Sequence, residues 1–251
     1  MPNQPLQDKV AIIGGGAKNL GGLISRDLAA AGAKIVINFN SDGTKAAADA
    51  TVAAIEAAGG QAFALQGDLT RVAEVERLFA EAKARFGRVD IAVNTAGKVL
   101  KKPFVETTEA EYDDMFAVNS KAAYFFLREA GKTLEDGGRI VTIVTSLLAA
   151  FTGLYSTYAG AKAPVEHFTR AAAKEFGARK ISVNNVGPGP MDTPFFYPAE
   201  TPDSVAYHSS ASALGGLTRI EEIVPIVRFL VTEGSWITGQ TLFANGGYAT
   251  R

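Results

Sequence analysis

Short apolar runs alternate along this chain with longer stretches whose apolar positions recur at helical spacing. Val10-Ala11-Ile12-Ile13 runs into three glycines, and Leu20 to Ala31 then predicts a helix closed by Gly32. The alternation continues with a strand over Ile35 to Phe39, a helix over Thr44 to Ala58, a strand over Ala62 to Gln66 and a helix over Val72 to Phe86. A fourth strand covers Val89 to Val93, and one or two helices fill Glu109 to Leu134. Arg139 to Val144 predicts a β-branched fifth strand, Tyr158 to Phe176 a long helix and Ile181 to Val186 a sixth strand. Ile220 to Leu230 reads as a helix and Thr241 to Ala244 as a last short strand. Buried-type strands in strict alternation with helices imply an α/β protein with a doubly wound parallel β-sheet of about seven strands and helices on both faces. The crossovers should be right-handed. No repeat or low-complexity linker interrupts the pattern, so residues 1–251 are expected to form a single domain. The one irregular stretch, 188–216, holds five prolines and is expected to be a structureless lid.

Composition narrows the function classes. Net charge is -1 with acids and bases interspersed, which leaves no footprint for nucleic acid or an anionic membrane. Cys is absent, so disulfides and thiolate chemistry are excluded and a reducing compartment is compatible. The two histidines, His167 and His208, show no metal-ligand spacing. The N-terminal residues lack the apolar core of a signal peptide, and no run is long enough to span a membrane. A cytoplasmic location is expected.

Candidate chemistry begins where the first strand ends. Gly14 to Gly22 reads GGGAKNLGG, and Gly15, Lys18, Asn19, Leu20 and Gly21 would cradle a pyrophosphate on free N–H groups at a helix start. A plain turn is the competing reading. The second strand ends in Phe39, Asn40 and Ser41, with no carboxylate before Asp42. An acid here would bond the ribose 2′-hydroxyl of NAD, whereas Asn and Ser can donate to a 2′-phosphate. With Lys18 as a source of positive charge, NADP(H) is favoured over NAD(H); solvated turn residues are the alternative. Asp68, followed by Leu69, is placed to accept from an adenine amino group, or to cap the next helix. Asn94, Ala96 and Gly97 end the fourth strand with small residues against which a cofactor could lie, unless they form only a tight turn.

Tyr158 and Lys162 stand four residues apart, on one face of a helix. A neighbouring ammonium should lower the phenol pKa toward the working range of an acid/base catalyst. The fifth strand ends in Thr145-Ser146, and Ser146 could hold a carbonyl oxygen beside the Tyr158 hydroxyl. Thr145 is the adjacent rival, expected to face the sheet interior. Tyr155 is a rival phenol, but four residues on it meets Ala159. Asn119 is a fourth polar candidate in an otherwise apolar helical stretch.

These features, taken in order with Pro188-Gly189-Pro190-Met191-Asp192-Thr193, Ile237-Thr238-Gly239-Gln240 and Asn245-Gly246-Gly247, resemble the short-chain dehydrogenases/reductases over nearly the whole chain. The resemblance implies a Rossmann-type fold and an NADP(H)-dependent oxidoreductase acting between a ketone and a secondary alcohol. It assigns Tyr158 as general acid for reduction and base for oxidation, and Lys162 to the nicotinamide ribose and to tuning Tyr158. It assigns Ser146 to the substrate oxygen and Asn119 to a water relay from Lys162. Pro188, Gly189, Met191 and Thr193 would meet the nicotinamide carboxamide. Asn19 stands where the family often has Gly, and Asn tolerates left-handed backbone better than most residues. The interval from Ser146 to Tyr158 is about one residue shorter than in many relatives. A homotetramer is implied, with helices around Asp113 to Leu134 and Tyr158 to Phe176 at one interface and the last strand at another.

Phe151, Leu154 and Phe195-Phe196-Tyr197-Pro198 suggest an apolar small-molecule pocket. Lys98, Lys101 and Lys102 could draw in an anionic substrate or a carrier phosphopantetheine group, or could be a solvated basic loop. A 3-oxoacyl thioester or a hydrophobic ketone fits best within the family. A catalytically silent NADP-binding sensor or scaffold, and a lyase or epimerase on the same fold, remain the alternatives.

Overall fold

Along the chain, β1 (Val10–Gly14) leads into α1 (Asn19–Ala30), β2 (Lys34–Phe39), α2 (Asp42–Ala57), β3 (Ala62–Gln66), α3 (Val72–Phe86) and β4 (Ile91–Asn94). There follow α4 (Glu109–Phe116), α5 (Ala122–Thr133), β5 (Arg139–Ile143), α6 (Ser156–Phe176), β6 (Ser182–Pro188), α7 (Pro202–Ala211), α8 (Ile220–Val231) and β7 (Thr241–Ala244). The structure is a computed structural model, described here for residues 4–250. All seven strands join one sheet in the order β3-β2-β1-β4-β5-β6-β7. Every pairing is parallel. The chain moves outward from β1 to β3, then crosses back to lay β4 against the other side of β1. That reversal opens a crevice at the carboxyl ends of β1 and β4, where Gly14 pairs with Asn94.

Strand residues of alternating parity feed the two faces. Ala11, Ile13, Ile35 and Ile37 pack on one side with Ile24 and Leu28 of α1 and Ile223 and Val227 of α8. Val10, Ile12 and Val36 pack on the other with Leu78 and Phe79 of α3 and Phe126 of α5. Phe79 and Phe126 meet edge-on with centroids 5.1 Å apart, the arrangement ring quadrupoles favour. Burial on both faces is why these strands read as continuous apolar runs rather than as alternating ones. Among the described residues no helix is long and apolar enough to cross a membrane.

Three elements depart from expectation, each for a local reason. Helix α6 begins at Ser156, so Tyr158 lies in its first turn. The region expected as one or two helices is α4 and α5 joined by a π-helical turn over Ala117–Lys121, which carries Asn119. Inserted turns of this kind are frequent at functional sites. The lid region is not structureless. A 3-10 turn over Tyr197–Ala199 precedes α7, whose start is fixed by a reciprocal cap. Ser204 N–H donates to Thr201 Oγ1 at 3.3 Å, and Thr201 N–H donates back to Ser204 Oγ at 2.9 Å. Serine and threonine placed three residues apart behind a run of prolines made this helix hard to see.

Candidate active site

The glycine turn after β1 is built for a close approach. Gly15 has φ +71°, and a Cβ there would come within 3.0 Å of Thr95 Oγ1 and 3.2 Å of Ala96 N. A Cβ on Gly21 would lie 2.2 Å from the Gly15 carbonyl oxygen, which no side chain can satisfy. Asn19 adopts φ +49°, the left-handed geometry anticipated for it. The turn is held from below: Gly15 N–H donates to Asn38 Oδ1 at 3.3 Å, and Asn38 Nδ2 donates to the Gly67 carbonyl at 2.9 Å. Asn38, buried at the end of β2, thus ties two cleft walls together, a positioning role that composition did not reveal.

An elongated cleft runs from this turn along the sheet edge. Gly15, Lys18, Asn19, Leu20 and Gly21 line it, as do Phe39, Asn40, Asp68, Leu69, Ala96, Gly97, Tyr158, Lys162, Met191 and Thr193. Thr44 and Val118 also line it and carried no motif. Ser41 does not line the cleft; it caps α2, its N–H donating to Thr44 Oγ1 at 3.4 Å. Asn94 is also away from the wall. It is 2% exposed, and its Oδ1 accepts from Ala96 N–H at 3.0 Å, so it shapes the turn that carries Ala96 and Gly97. Asp68 Oδ1 accepts from the N–H and the hydroxyl of Thr70 at 2.9 and 2.8 Å, so it serves the local turn while still facing the cleft.

A second, smaller chamber adjoins the first across Val144, Tyr158, Met191, Thr193 and Phe195. Pro188 and Gly189 line this chamber and not the long cleft. Tyr158 and Lys162 are both almost fully buried, at 9% and 4% exposure. Lys162 Nζ donates to the Ile143 carbonyl at 3.0 Å. A Cβ on Gly97 would lie 3.1 Å from both Lys162 Nζ and Asn119 Oδ1, so only glycine lets the β4 turn pass between them. Asn119 receives Lys98 N–H at 3.1 Å and donates to the Lys98 and Met115 carbonyls at 2.9 and 3.1 Å. It fastens the post-β4 loop to the π-turn, with its side-chain oxygen and Lys162 Nζ both against Gly97.

Two sequence expectations change here. Ser146 lines the chamber but is 1% exposed, and its hydroxyl donates to the Gly187 carbonyl at 3.0 Å. The hydroxyl that acts on the Tyr158 phenol, lowering its pKa, is that of Thr145. The alternation that seemed to turn Thr145 inward stops at Ile143, where β5 ends; Thr145 then caps a 3-10 turn over Ser146–Leu148 and lines the chamber. Starting from Thr145 also restores the missing residue in the interval to Tyr158. The second change concerns charge. Burial pushes the Tyr158 phenol up to about 12, and the Thr145 hydrogen bond offsets only part of this. Burial lowers Lys162 itself to about 8, and its Nζ is held by the Ile143 carbonyl. A phenol that stays protonated is a proton donor.

The three lysines after β4 are all engaged: Lys98 with Asp114, Lys101 with Glu200, Lys102 with Glu111. They form no free basic patch. Among the described residues no cluster of ligands could hold a metal ion.

The sequence matches the family described as Enoyl-(acyl carrier protein) reductase over residues 15–249. The chain belongs to the short-chain dehydrogenase/reductase family. That family is one of oxidoreductases. A curated relative, the hydroxynaphthalene reductase-like protein Arp2 of Metarhizium brunneum, is 35% identical over 98% of this chain and 96% of its own length. A putative dehydrogenase from Burkholderia cenocepacia, solved with bound NADP, is 64% identical with a TM-score of 0.96, covering 98% of this chain and 95% of that one. The angucycline C-6 ketoreductase LanV, solved with bound NADP, is 31% identical with a TM-score of 0.90, covering 97% and 96%. The doubly wound sheet expected from the alternation is the fold these structures share.

Proposed function

We propose that this chain is an NADPH-dependent reductase of apolar ring ketones, with Tyr158 as proton donor, Thr145 as the hydroxyl that orients the carbonyl oxygen and Lys162 as the group that holds the nicotinamide ribose. The observation that carries this reading is the position of Tyr158 on the wall shared by the two cavities, hydrogen-bonded to Thr145.

The long cleft fits a dinucleotide on its own geometry: glycines whose Cβ atoms would collide, N–H groups at the start of α1, and a length that reaches from Asn40 to Thr193. Gly15 to Gly21, Asn40, Asp68, Ala96, Gly97, Lys162 and Thr193 would hold it. When bound, NADPH supplies the hydride. The end of β2 presents Asn40 to the cleft and no carboxylate, with Lys18 on the facing wall, which supports the 2′-phosphate form. NADP bound to two of the similar structures agrees with this.

Thr145 and Tyr158 both donate to one oxygen, which polarises the carbonyl as negative charge develops. Tyr158 then passes its phenolic proton to that oxygen. Burial keeps this proton on the phenol across the neutral range, which favours reduction over oxidation. The chamber beyond is walled by Val99, Leu147, Phe195 and Phe196. Flat apolar walls and engaged lysines suit a ring ketone better than a charged or carrier-bound thioester. The names of the relatives, a hydroxynaphthalene reductase-like protein and an angucycline ketoreductase, point the same way. We include a homotetramer in the proposal.

The test is a ketone panel followed at the NADPH absorbance, run in parallel with NADH, for the native protein and Tyr158→Phe. NADPH consumption that disappears in the variant while NADPH binding persists is the expected result. A silent binding protein would consume none, an epimerase would form product without net consumption, and a marked NADH preference would overturn the reading of Asn40.

A further inference from the structure

One wall of the chamber is polar, and the mechanism above uses none of it. Tyr155, Glu200, His208 and Tyr248 line this wall, drawn from the start of α6, the lid, α7 and the C-terminal tail. Glu200 is at its centre, with a side chain 1% exposed. The Tyr155 hydroxyl donates to Glu200 Oε1. Lys101 Nζ and Ser204 Oγ both donate to Oε2 at 2.5 Å. Burial works to neutralise this carboxyl, but those three donors outweigh it and hold it below the usual carboxylate range. Glu200 is therefore an anion beside an otherwise apolar cavity.

A buried ion pair is a costly way to close a lid, since apolar residues of similar volume are often as stabilising or more so. Its geometry indicates another use. His208 Nδ1 lies 3.0 Å from the Tyr248 hydroxyl, and Nε2 lies 3.6 Å from Glu200 Oε2. Burial lowers the His208 pKa despite the carboxylate, so the ring is neutral. The carboxylate opposite Nε2 favours a proton there, which makes Nδ1 the acceptor of the Tyr248 O–H. The donor at Nε2 and the acceptor at Oε2 thus face each other just beyond hydrogen-bonding reach. An oxygen about 2.8 Å from each would bridge them. Oε2 already accepts from Lys101 and Ser204, so the bridging group must accept from Nε2 and turn a donor, not a lone pair, toward Oε2. A hydroxyl does, an ether oxygen does not, and a carboxylate would be repelled by Glu200.

We propose that His208 and Glu200 form a specificity site for a hydroxyl carried on the ring system of the ketone substrate, so that the preferred substrates are hydroxylated aromatic ketones. Tyr155 and Phe195, whose ring centroids each lie 6.5 Å from that of Tyr158, flank the path between the proton donor and this site. The inference rests on the ketone-reductase reading and adds the group recognised at the far end of the substrate.

Three tetralones sharing one skeleton, with a ring hydroxyl, a ring methoxy group or neither, test it. The native protein should show a kcat/KM for the hydroxylated ketone at least about tenfold above the other two, the value of one well-made hydrogen bond or more. In His208→Leu that ratio should collapse to near one, and in His208→Gln, which keeps a donor, it should partly return. Thermal melting and NADPH binding of each variant show whether it is folded. Equal kcat/KM for the three ketones in the native protein, or an unchanged ratio in folded His208→Leu, overturns the site and leaves the reductase reading standing. Failure of every ketone to consume NADPH overturns both.

Discussion

The hydroxyl of Thr145 is hydrogen-bonded to the phenol of Tyr158, while the neighbouring Ser146 spends its hydroxyl on the Gly187 carbonyl. Two adjacent hydroxyls at one strand end therefore do different work. Both line the chamber where a carbonyl oxygen would lie, but the Ser146 hydroxyl is already committed to fastening the start of the 3-10 turn to β6. Thr145→Ala should lower kcat by roughly 10²–10³, the usual cost of one polarising donor. Thr145→Ser should recover most of it. Ser146→Ala should act on thermal stability, with a change in kcat of less than about tenfold. Steady-state kinetics on the three variants decide it, and a larger kcat loss in the Ser146 variant would restore the assignment made from the sequence.

Tyr158 sets the direction of proton traffic. With the phenol at about 12, reduction finds its donor protonated at all ordinary pH values. Oxidation of the alcohol needs the phenolate, whose population rises with pH up to that value. The rate of ketone reduction should accordingly show no loss from Tyr158 between about pH 6 and pH 9, whereas alcohol oxidation should climb steadily toward alkaline pH. Tyr158→Phe should lower both by about 10³ or more. Initial rates in the two directions across a pH series are the measurement. An oxidation rate that levels off near neutrality would show that the phenol is tuned lower with NADP(H) in place.

Lys162 is expected to be destabilising in the absence of the cofactor. Its folded pKa of about 8 lies below the ordinary lysine value of 10.5, so the unfolded chain holds more protons between those values. Stability associated with this group is present above 10.5 and is lost as pH falls through 8. Tyr158 runs the other way, stabilising below 10 and losing that contribution as pH rises through 12, so Lys162 governs the interval from 8 to 10. Lys162→Met, in cofactor-free protein, should raise Tm by a few degrees at pH 7. That advantage should narrow as pH is raised to 10, while turnover is lost at every pH. Differential scanning calorimetry on both proteins checks the sign and the window.

In the proposed reading Asn40 carries the cofactor preference. It lines the cleft at the end of β2, and Asp42 next along lies inside the first turn of α2. Asn40→Asp puts a carboxylate where a 2′-phosphate would lie. The KM for NADPH should rise by about tenfold or more through like-charge repulsion, with the KM for NADH unchanged or lower. Lys18→Ala should weaken NADPH alone.

The parts of this site that were legible in the sequence share a physical property: their requirement is local. Gly15 and Gly21 are demanded by crowding within a strand-to-helix turn, and Tyr158 and Lys162 by one helical turn. Thr145 was misread because alternation predicts facing only while a strand continues, and β5 ends two residues before it. Ser41 was given to the cofactor because a cap and a phosphate ligand call for the same residue type. Glu200, His208 and Tyr248 left no signal at all, since the lid, α7 and the tail meet only in the folded chain. No period or spacing relates a lid glutamate to a tyrosine 48 positions later.

Two exposed aromatic faces provide a test of the proposed homotetramer. On α5 and α6, Tyr124 is 48% exposed and packs edge-on against Phe125 and Phe168, with centroids 5.3 and 5.1 Å away. A shallow groove runs between these rings and Phe116. On the far edge, Trp236 is 98% exposed, close before β7, and Phe229 of α8 is 42% exposed. Two separate aromatic patches on one chain allow two different two-fold contacts, and two such contacts close a tetramer rather than a dimer. Light scattering should return four times the 26.3 kDa chain mass. In Tyr124→Glu each two-fold contact receives the new charge twice, so the α5–α6 interface should open and leave dimers held at β7. Trp236→Glu should leave dimers of the other kind, and the double variant monomers. A native mass of one chain, or a Tyr124→Glu protein that stays tetrameric, would remove this face from the assembly.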